Sequence, residues 1–305
     1  MATAYSPLRY PGGKQILGHV LSNILRMNKC EGGAYAEPYA GGSGAAFALL
    51  FGEHVTSILL NDADKSIYAF WTAVLHKTEA LLKLLADTPL SVEEWDRQRS
   101  VYLHPERHSP LRLGFATLYL NRCNRSGIIA NGGVIGGRDQ TGKWKIDARF
   151  NRKELAQRIQ RVALYRDRIK LFNLDAIDFL RTHISVRKIA KRTLVYLDPP
   201  YFTKGSQLYL NYYKPDDHRA LSNYLDREAT FLWVMTYDNV PAIRKLYSKF
   251  RQVAMGLHYS ASDRRIGDEV IILHKKLIFP NRWKSRIPAN YLTTADEIRA
   301  NASQI

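Results

Sequence analysis

Cysteine is nearly absent from this 305-residue chain, which has only Cys30 and Cys123. Two isolated thiols make neither a zinc cluster nor a disulfide framework, so no metal is expected and a reducing compartment fits. Long apolar runs are lacking as well. None approaches the ~20 residues needed to cross a bilayer. Residues Met1 to Pro7 hold no basic segment followed by an apolar one, so no secretory signal and a cytoplasmic location are expected. No internal repeat is visible. Acidic residues are in deficit, with 28 Asp and Glu against 45 Lys and Arg, a net charge of +17 and a pI near 9.8. A chain this basic commonly meets a polyanion, nucleic acid first, although a generic basic surface is the plain alternative. What remains is ordinary for a globular protein: 46% apolar and 24% charged residues, in a chain long enough for a large core and two lobes.

The chain is organised around Thr193 to Phe202, T-L-V-Y-L-D-P-P-Y-F. Leu194 to Leu197 form a short apolar run that stops abruptly, as suits a strand buried on both faces of a parallel sheet. Asp198 then sits at the strand's carboxyl end, and Pro199 and Pro200 stiffen the turn behind it. That edge is where open α/β sheets bind ligands. A carboxylate beside the Pro199 carbonyl offers two acceptors aimed at one place, which suits a nitrogen carrying two hydrogens. Tyr201 could stack on a planar base bearing that amine. An ordinary Asp-Pro-Pro turn reads the same four residues equally well.

Taken in order, the chain begins with Arg9-Tyr10-Pro11-Gly12-Gly13-Lys14 and an amphipathic stretch from Gln15 to Met27. The phosphate-loop spacing G-x-x-x-x-G-K-[ST] is missing, so a P-loop is rejected, and a turn with a solvated lysine explains the piece as well. A short strand then leads to Glu37-Pro38-Tyr39-Ala40-Gly41-Gly42-Ser43-Gly44 and a helix. Glycines there let a ligand approach the backbone. A second strand, Ser57 to Leu60, ends at Asn61-Asp62, and an acid at that place bonds ribose hydroxyls in nucleoside-binding α/β folds. Ile67 to Leu85 reads as one long amphipathic helical stretch.

From about residue 86 to 159 the strand–helix alternation lapses, which predicts an inserted second lobe. Asn121 to Lys153 holds eight basic residues, among them Arg122, Arg125, Arg138, Lys143 and Lys145, opposed only by Asp139 and Asp147. Glycines interleaved with Arg, Lys, Asn121, Asn124 and Trp144 suit a loop that follows a nucleic-acid backbone and reaches base edges, with a solvated loop as the alternative. Alternation then resumes with a helix from Glu154 to Tyr165 and a strand from Ile169 to Asn173. Asp175 either meets an adenine amine or caps the next helix. Phe202 to Tyr213 reads as a loop over the pocket. A helix from Pro215 to Leu225, a strand from Phe231 to Met235, and closing strands Val253 to His258 and Glu269 to Leu273 follow. The basic tail after Pro280 carries no usable pattern.

In this order, R-Y-P-G-G-K, A-E-P-Y-A-G-G-S-G, N-D-A-D, L-Y-L-N-R, D-P-P-Y and R-R-I-G-D-E-V-I-I-L make the chain, from Arg9 to Leu273, resemble the DNA adenine methylase family, the Dam-like D12 class of N6-adenine methyltransferases. The resemblance implies a Rossmann-like α/β methyltransferase sheet formed by residues 1–85 and 160–280. It also implies a mostly helical recognition insertion over 86–159 and a basic tail over 281–305. It implies S-adenosylmethionine as methyl donor, double-stranded DNA as substrate, and in some settings a cognate restriction endonuclease as partner. Carried onto this chain, Tyr10, Lys14, Glu37, Gly41, Gly42, Asp62 and Asp175 would hold the donor. Asp198 and the Pro199 carbonyl would take the N6 hydrogens of the target adenine, with Tyr201 on its ring. Asn121, Arg122, Asn124, Arg125, Arg138, Lys143 and Lys145 would meet DNA. The target base must leave the duplex to reach Asp198. Two departures stand out: Cys123-Asn124-Arg125-Ser126-Gly127 where the family often has aromatic-Asn-Gly, and Thr236-Tyr237-Asp238-Asn239 where it usually has Ser-Asn. The same chemistry on RNA, and a DNA-binding protein without catalysis, are the other two readings.

Overall fold

The computed structural model describes residues 4–9, 14–186, 190–203, 213–258 and 266–281. Tyr10, the Pro11-Gly12-Gly13 turn, most of the expected pocket loop after Thr203, Arg264 and Arg265, and the tail from residue 282 lie outside the described residues. The described strands are Ala34–Glu37 (β1), Ser57–Asn61 (β2), Ile169–Phe172 (β3), Thr193–Leu197 (β4), Leu232–Asp238 (β5), Arg251–His258 (β6) and Ile266–Leu273 (β7). They form one sheet in the order β3-β2-β1-β4-β5-β7-β6. Only β7 is reversed, pairing antiparallel with β5 and with β6. Between β1 and β4 the strand order changes direction, which opens a crevice at the carboxyl ends of those two strands.

The alternation of side chains explains why the sheet is covered on both faces. Tyr35, Ile58, Leu60, Leu194, Tyr196 and Val234 point into one core, whereas Ala36, Leu59, Val195, Leu197, Trp233 and Met235 point into the other. Every residue of β4 is buried, as expected for a central parallel strand. The first face is covered by helices Gly18–Met27 (α1), Gly44–Phe51 (α2), Lys65–His76 (α3), Thr78–Asp87 (α4), Val92–Leu103 (α5), Pro110–Cys123 (α6) and Arg152–Leu164 (α7). The second is covered by Ala176–Phe179 (α8), Pro215–Arg227 (α9) and Pro241–Leu246 (α10). Several of these helices start where a side chain satisfies a free backbone N–H: Asp64 for α3, Ser91 for α5, Ser109 for α6 and Asn151 for α7. Among the described residues no helix is long and apolar enough to cross a membrane.

Two expectations are corrected. The stretch Ile67 to Leu85 is two helices, broken at Lys77, whose φ of −135° and ψ of 36° leave the helical region. The Thr78 hydroxyl bonds the Val74 carbonyl at 2.8 Å, which is the competition with the backbone that Ser and Thr bring to helices. Strand β5 also runs past Met235 to Asp238, so Thr236, Tyr237 and Asp238 belong to the sheet edge.

Side chains from the segment read as an insertion, residues 86 to 159, pack into the core of the sheet. Trp95, Phe115, Leu118, Tyr119, Phe150 and Leu155 pack in one cluster with Leu21, Phe47, Leu60 and Tyr196. Helix α6 crosses α3 so closely at Gly114 that a Cβ there would lie 2.6 Å from the Ala69 carbonyl oxygen. Gly114→Ala is therefore expected to force the two helices apart and cost about 1–3 kcal/mol. Urea unfolding of the variant checks this, and an unchanged midpoint would mean the crossing is looser than described.

Candidate active site

Asp198 follows β4 directly and lies beside the carboxyl end of β1, at the crevice. Its Oδ1 accepts a hydrogen bond from Thr236 Oγ1 at 2.9 Å and stands 3.5 Å from Lys14 Nζ. Thr236 is held in turn by the Tyr196 hydroxyl at 2.6 Å. Since Thr236 donates to the carboxylate, Tyr196 must be the donor to Thr236. No described residue bonds Asp198 Oδ2 or the Pro199 carbonyl oxygen, so among the described residues these two acceptors remain for a ligand. Burial pushes the Asp198 carboxyl up to about 6, while the Lys14 ammonium pulls it down. The side chain is nevertheless 29% exposed.

Lys14 opens a short 3₁₀ helix, Lys14–Leu17, and is buried rather than solvated. Its Nζ lies 2.7 Å from Glu269 Oε1 and 3.2 Å from Tyr201 Oη. The Tyr201 hydroxyl also donates to Glu269 Oε1. Burial alone would lower the Lys14 pKa, but Asp198 and Glu269 outweigh it and the net shift is strongly upward. The ammonium thus stays charged. The segment after Tyr201 is clamped by Asp238 at the end of β5, whose carboxylate accepts from Phe202 N and Thr203 N, both at 3.0 Å.

At the end of β1, the Glu37 carboxylate accepts from the Tyr35 hydroxyl at 3.0 Å and from Ala46 N at 3.2 Å. Burial pushes its carboxyl up to about 8, against those bonds. The turn that follows passes through left-handed backbone at Gly41 (φ 44°) and Ser43 (φ 48°). Such a turn is easy for glycine and uncommon for other residues. Gly41 N donates to Asp62 Oδ2 at 2.9 Å, and Asp64 N donates to Asp62 Oδ1 at 3.0 Å. Burial, with Asp64 nearby, raises the Asp62 carboxyl to about 7. Asn61, fully buried, links Pro38 O, Leu174 O and Leu174 N at 3.0 Å each and so fixes the ends of β1, β2 and β3 together. Gly42 stands in the same turn. Asp175 is exposed and caps α8 through Ile177 N and Asp178 N at 2.8 and 3.3 Å. Of its two expected fates, capping is the one described.

In the segment from residue 86 to 159, the side chains expected to meet DNA divide by burial. Asn121 is fully buried and exchanges two 2.7 Å bonds with the backbone of Arg9, adding a third to Gly127 O. Arg122 is buried with its guanidinium on Pro7 O, and burial lowers its pKa to about 9. Asn124 is buried too, bonded to Trp95 Nε1 at 2.6 Å and to the carbonyls of Ile128 and Ile129. Asn121 and Arg122 thus tie α6 to the backbone of Pro7 and Arg9, whereas Asn124 ties the end of α6 to Trp95 of α5 and to the turn that follows. Arg125, Lys143 and Lys145 are exposed, Lys145 resting on Gln140 O at 2.5 Å. Arg138 is exposed but forked onto Asp96 at 2.8 and 3.0 Å. Trp144 is 61% exposed, with Lys143 Nζ and the Arg149 guanidinium 5.8 and 6.0 Å from its ring.

Sequence reasoning missed Thr236, Glu269, Asp238 and Asn61 as site residues. A signal existed for Glu269, an acid at the head of the apolar run V-I-I-L. Among the described residues no cluster of His, Cys, Asp and Glu could hold a metal ion.

The family model of the D12 class N6 adenine-specific DNA methyltransferases matches residues 10–260. Among solved structures, the rRNA methyltransferase aviRa from Streptomyces viridochromogenes is similar at 12% identity over 83% of this chain and 82% of its own, with a TM-score of 0.29. No curated protein matches the chain.

The raised acids give a test without any ligand. Between pH 4.5, the ordinary value for Glu, and about 8, the folded state binds more protons at Glu37 than the unfolded state does. Stability therefore falls as pH rises through that window. Urea midpoints measured from pH 4.5 to 8 are expected to decline, and Glu37→Gln is expected to flatten the upper part of the decline. Parallel profiles for the two proteins would remove Glu37 as its source.

Proposed function

The chain belongs to the D12 class of N6-adenine-specific DNA methyltransferases, and from that we propose that it takes its methyl group from S-adenosylmethionine and flips its target adenine out of double-stranded DNA into the crevice at Asp198. The protein methylates N6 of adenine in DNA, on a Rossmann-like methyltransferase sheet. The single observation that best supports the residue-level reading is the division of labour within Asp198. Its Oδ1 is tied to Thr236 and Lys14, while no described residue bonds Oδ2 or the Pro199 carbonyl oxygen.

Those two acceptors would take the two N6 hydrogens. The N6 lone pair is delocalised into the purine ring, and bonds to both hydrogens favour a pyramidal nitrogen whose lone pair is available for attack. Tyr201, its hydroxyl anchored on Glu269, would stack on the ring and set its plane. Asp198, already bonded to one N6 hydrogen, would be the first acceptor of the proton that N6 sheds. Holding the reactants in line contributes much of the remaining acceleration.

The donor fits the electrostatics. Glu37, Asp62 and Asp198 stand at the ends of β1, β2 and β4 with carboxyls raised by burial, a crevice short of positive charge. A cationic ligand would relieve that shortage. S-adenosylmethionine, when bound, supplies a sulfonium methyl as the electrophile. Glu37, the Gly41-Gly42 turn and Asp62 would hold it. Lys14 is better assigned to Asp198 than to the donor, and Asp175 to its helix cap. DNA would lie along Arg125, Lys143, Lys145 and Arg149, with Trp144 presenting an open aromatic face. Methylated sites would be protected from a restriction endonuclease of the same specificity, should one accompany the protein.

Asp198→Ala is expected to abolish methyl transfer to duplex DNA while leaving the unfolding midpoint within a degree or two. Full activity in that variant would sink the mechanism. Arg125→Ala and Lys143→Ala are expected to weaken DNA binding and each to reduce the slope of log K against log salt by roughly 1. Arg122→Ala is expected instead to lower stability. A reduced salt slope for Arg122→Ala alone would return that residue to the interface.

A further inference from the structure

Glu269 is 1% exposed, yet it sits in a sheet edge built around a reaction. Its place follows from the reversed strand. Because β7 runs against its neighbours, its first half lies at their carboxyl ends, and Glu269 is in register with Asp238 at the end of β5. One oxygen, Oε1, takes both the Lys14 ammonium at 2.7 Å and the Tyr201 hydroxyl. Lys14 in turn faces Tyr201 Oη at 3.2 Å and Asp198 Oδ1 at 3.5 Å. We propose that Glu269 is a positioning residue for methyl transfer, holding Lys14 against Asp198 and pinning the Tyr201 ring beside it. The proposal rests on Asp198 being the residue that grips the target amine.

Stability alone is a poor reason for this arrangement. Burying two carboxylates and an ammonium costs desolvation that well-packed apolar residues would avoid. What the triad provides is geometry: one acceptor fixes two groups that lie 187 positions apart in the chain. It also sets a charge balance. Asp198 is faced by Lys14 from the 3₁₀ helix Lys14–Leu17, Thr236 and Tyr237 from β5, Tyr196 from β4, Glu37 and Tyr35 from β1, and Glu269 from β7. Lys14 is the cation in this group. Remove it, and Glu269 and Asp198 become two buried carboxylates that repel each other.

That balance makes the effect of Glu269→Gln depend on Lys14. In the native background the substitution loosens Lys14 and Tyr201, so kcat for DNA methylation is expected to fall at least tenfold. Donor affinity and KM for DNA are expected to stay within twofold. Lys14→Met is expected to move the acid limb of kcat to higher pH, because Asp198 holds its proton against Glu269. Adding Glu269→Gln to Lys14→Met removes that repulsion, so it is expected to move the limb back and recover part of the activity at pH 7. A role confined to stability would harm both backgrounds. A kcat loss in both backgrounds, or in neither, overturns the proposal. Should Lys14→Met fail to fold, Tyr201→Phe carries the test: the penalty of Glu269→Gln must shrink in that background, and an equal penalty overturns the proposal. Failure of the wild-type protein to form N6-methyladenine would instead overturn the parent reading of Asp198.

Discussion

The ammonium of Lys14, held between Glu269 and Asp198, joins three parts of the chain that share no local sequence: the 3₁₀ helix Lys14–Leu17, the end of β4 and the reversed strand β7. Nearly everything else in the crevice is arranged so that this contact persists. Asn121 and Arg122 fasten residues Pro7 and Arg9 to α6, which fixes the approach of the segment leading to Lys14. Thr236, supported by Tyr196, steadies the same oxygen of Asp198 from the other side. Asp238 holds the backbone that follows Tyr201. The segment from residue 86 to 159 therefore divides its polar side chains: Asn121, Arg122 and Asn124 are buried and bonded to backbone or to Trp95, while Arg125, Lys143 and Lys145 are exposed.

Charge is distributed in opposition. The chain as a whole carries +17, yet the crevice gathers Glu37, Asp62, Asp198 and Glu269, with Lys14 among them. A basic exterior draws in a polyanion, and its field acts over roughly a Debye length. An acidic, poorly solvated interior suits a neutral base offering hydrogens and a donor bearing positive charge. The same burial that raises the Glu37 and Asp62 carboxyls destabilises the ligand-free protein at neutral pH. Binding a cation there would restore their charge, so ligand binding and folding are linked through the same acids.

Much of this was legible in the sequence because it is written locally. The buried run Leu194 to Leu197, the stop at Asp198-Pro199-Pro200 and the Gly-rich turn after Glu37 each announce an element and its end through neighbouring residues. The D12 motifs, spread from Arg9 to Leu273, gave the family. What escaped was set by distance along the chain. Lys14 and Glu269 are 255 positions apart, and no local rule pairs them; a lysine after Pro-Gly-Gly reads as solvated until β7 is seen to reverse. The burial of Asn121, Arg122 and Asn124 escaped for the opposite reason, since polar residues near a basic, Gly-rich loop look like surface; their partners, Arg9, Pro7 and Trp95, lie far away in the sequence. The break at Lys77 was hidden because the amphipathic period continues on both sides of it.

The most direct measurement is transfer of labelled methyl from S-adenosylmethionine to unmethylated duplex DNA and, in parallel, to structured RNA, with digestion and identification of the labelled nucleoside. N6-methyladenine from DNA, with no label in RNA, is the expected result; it would establish donor, substrate and target atom together. Label on any other position of the base, or none at all with the donor shown to bind, would contradict a site in which Asp198 and Pro199 grip the adenine amine; label in RNA alone would contradict DNA as the substrate.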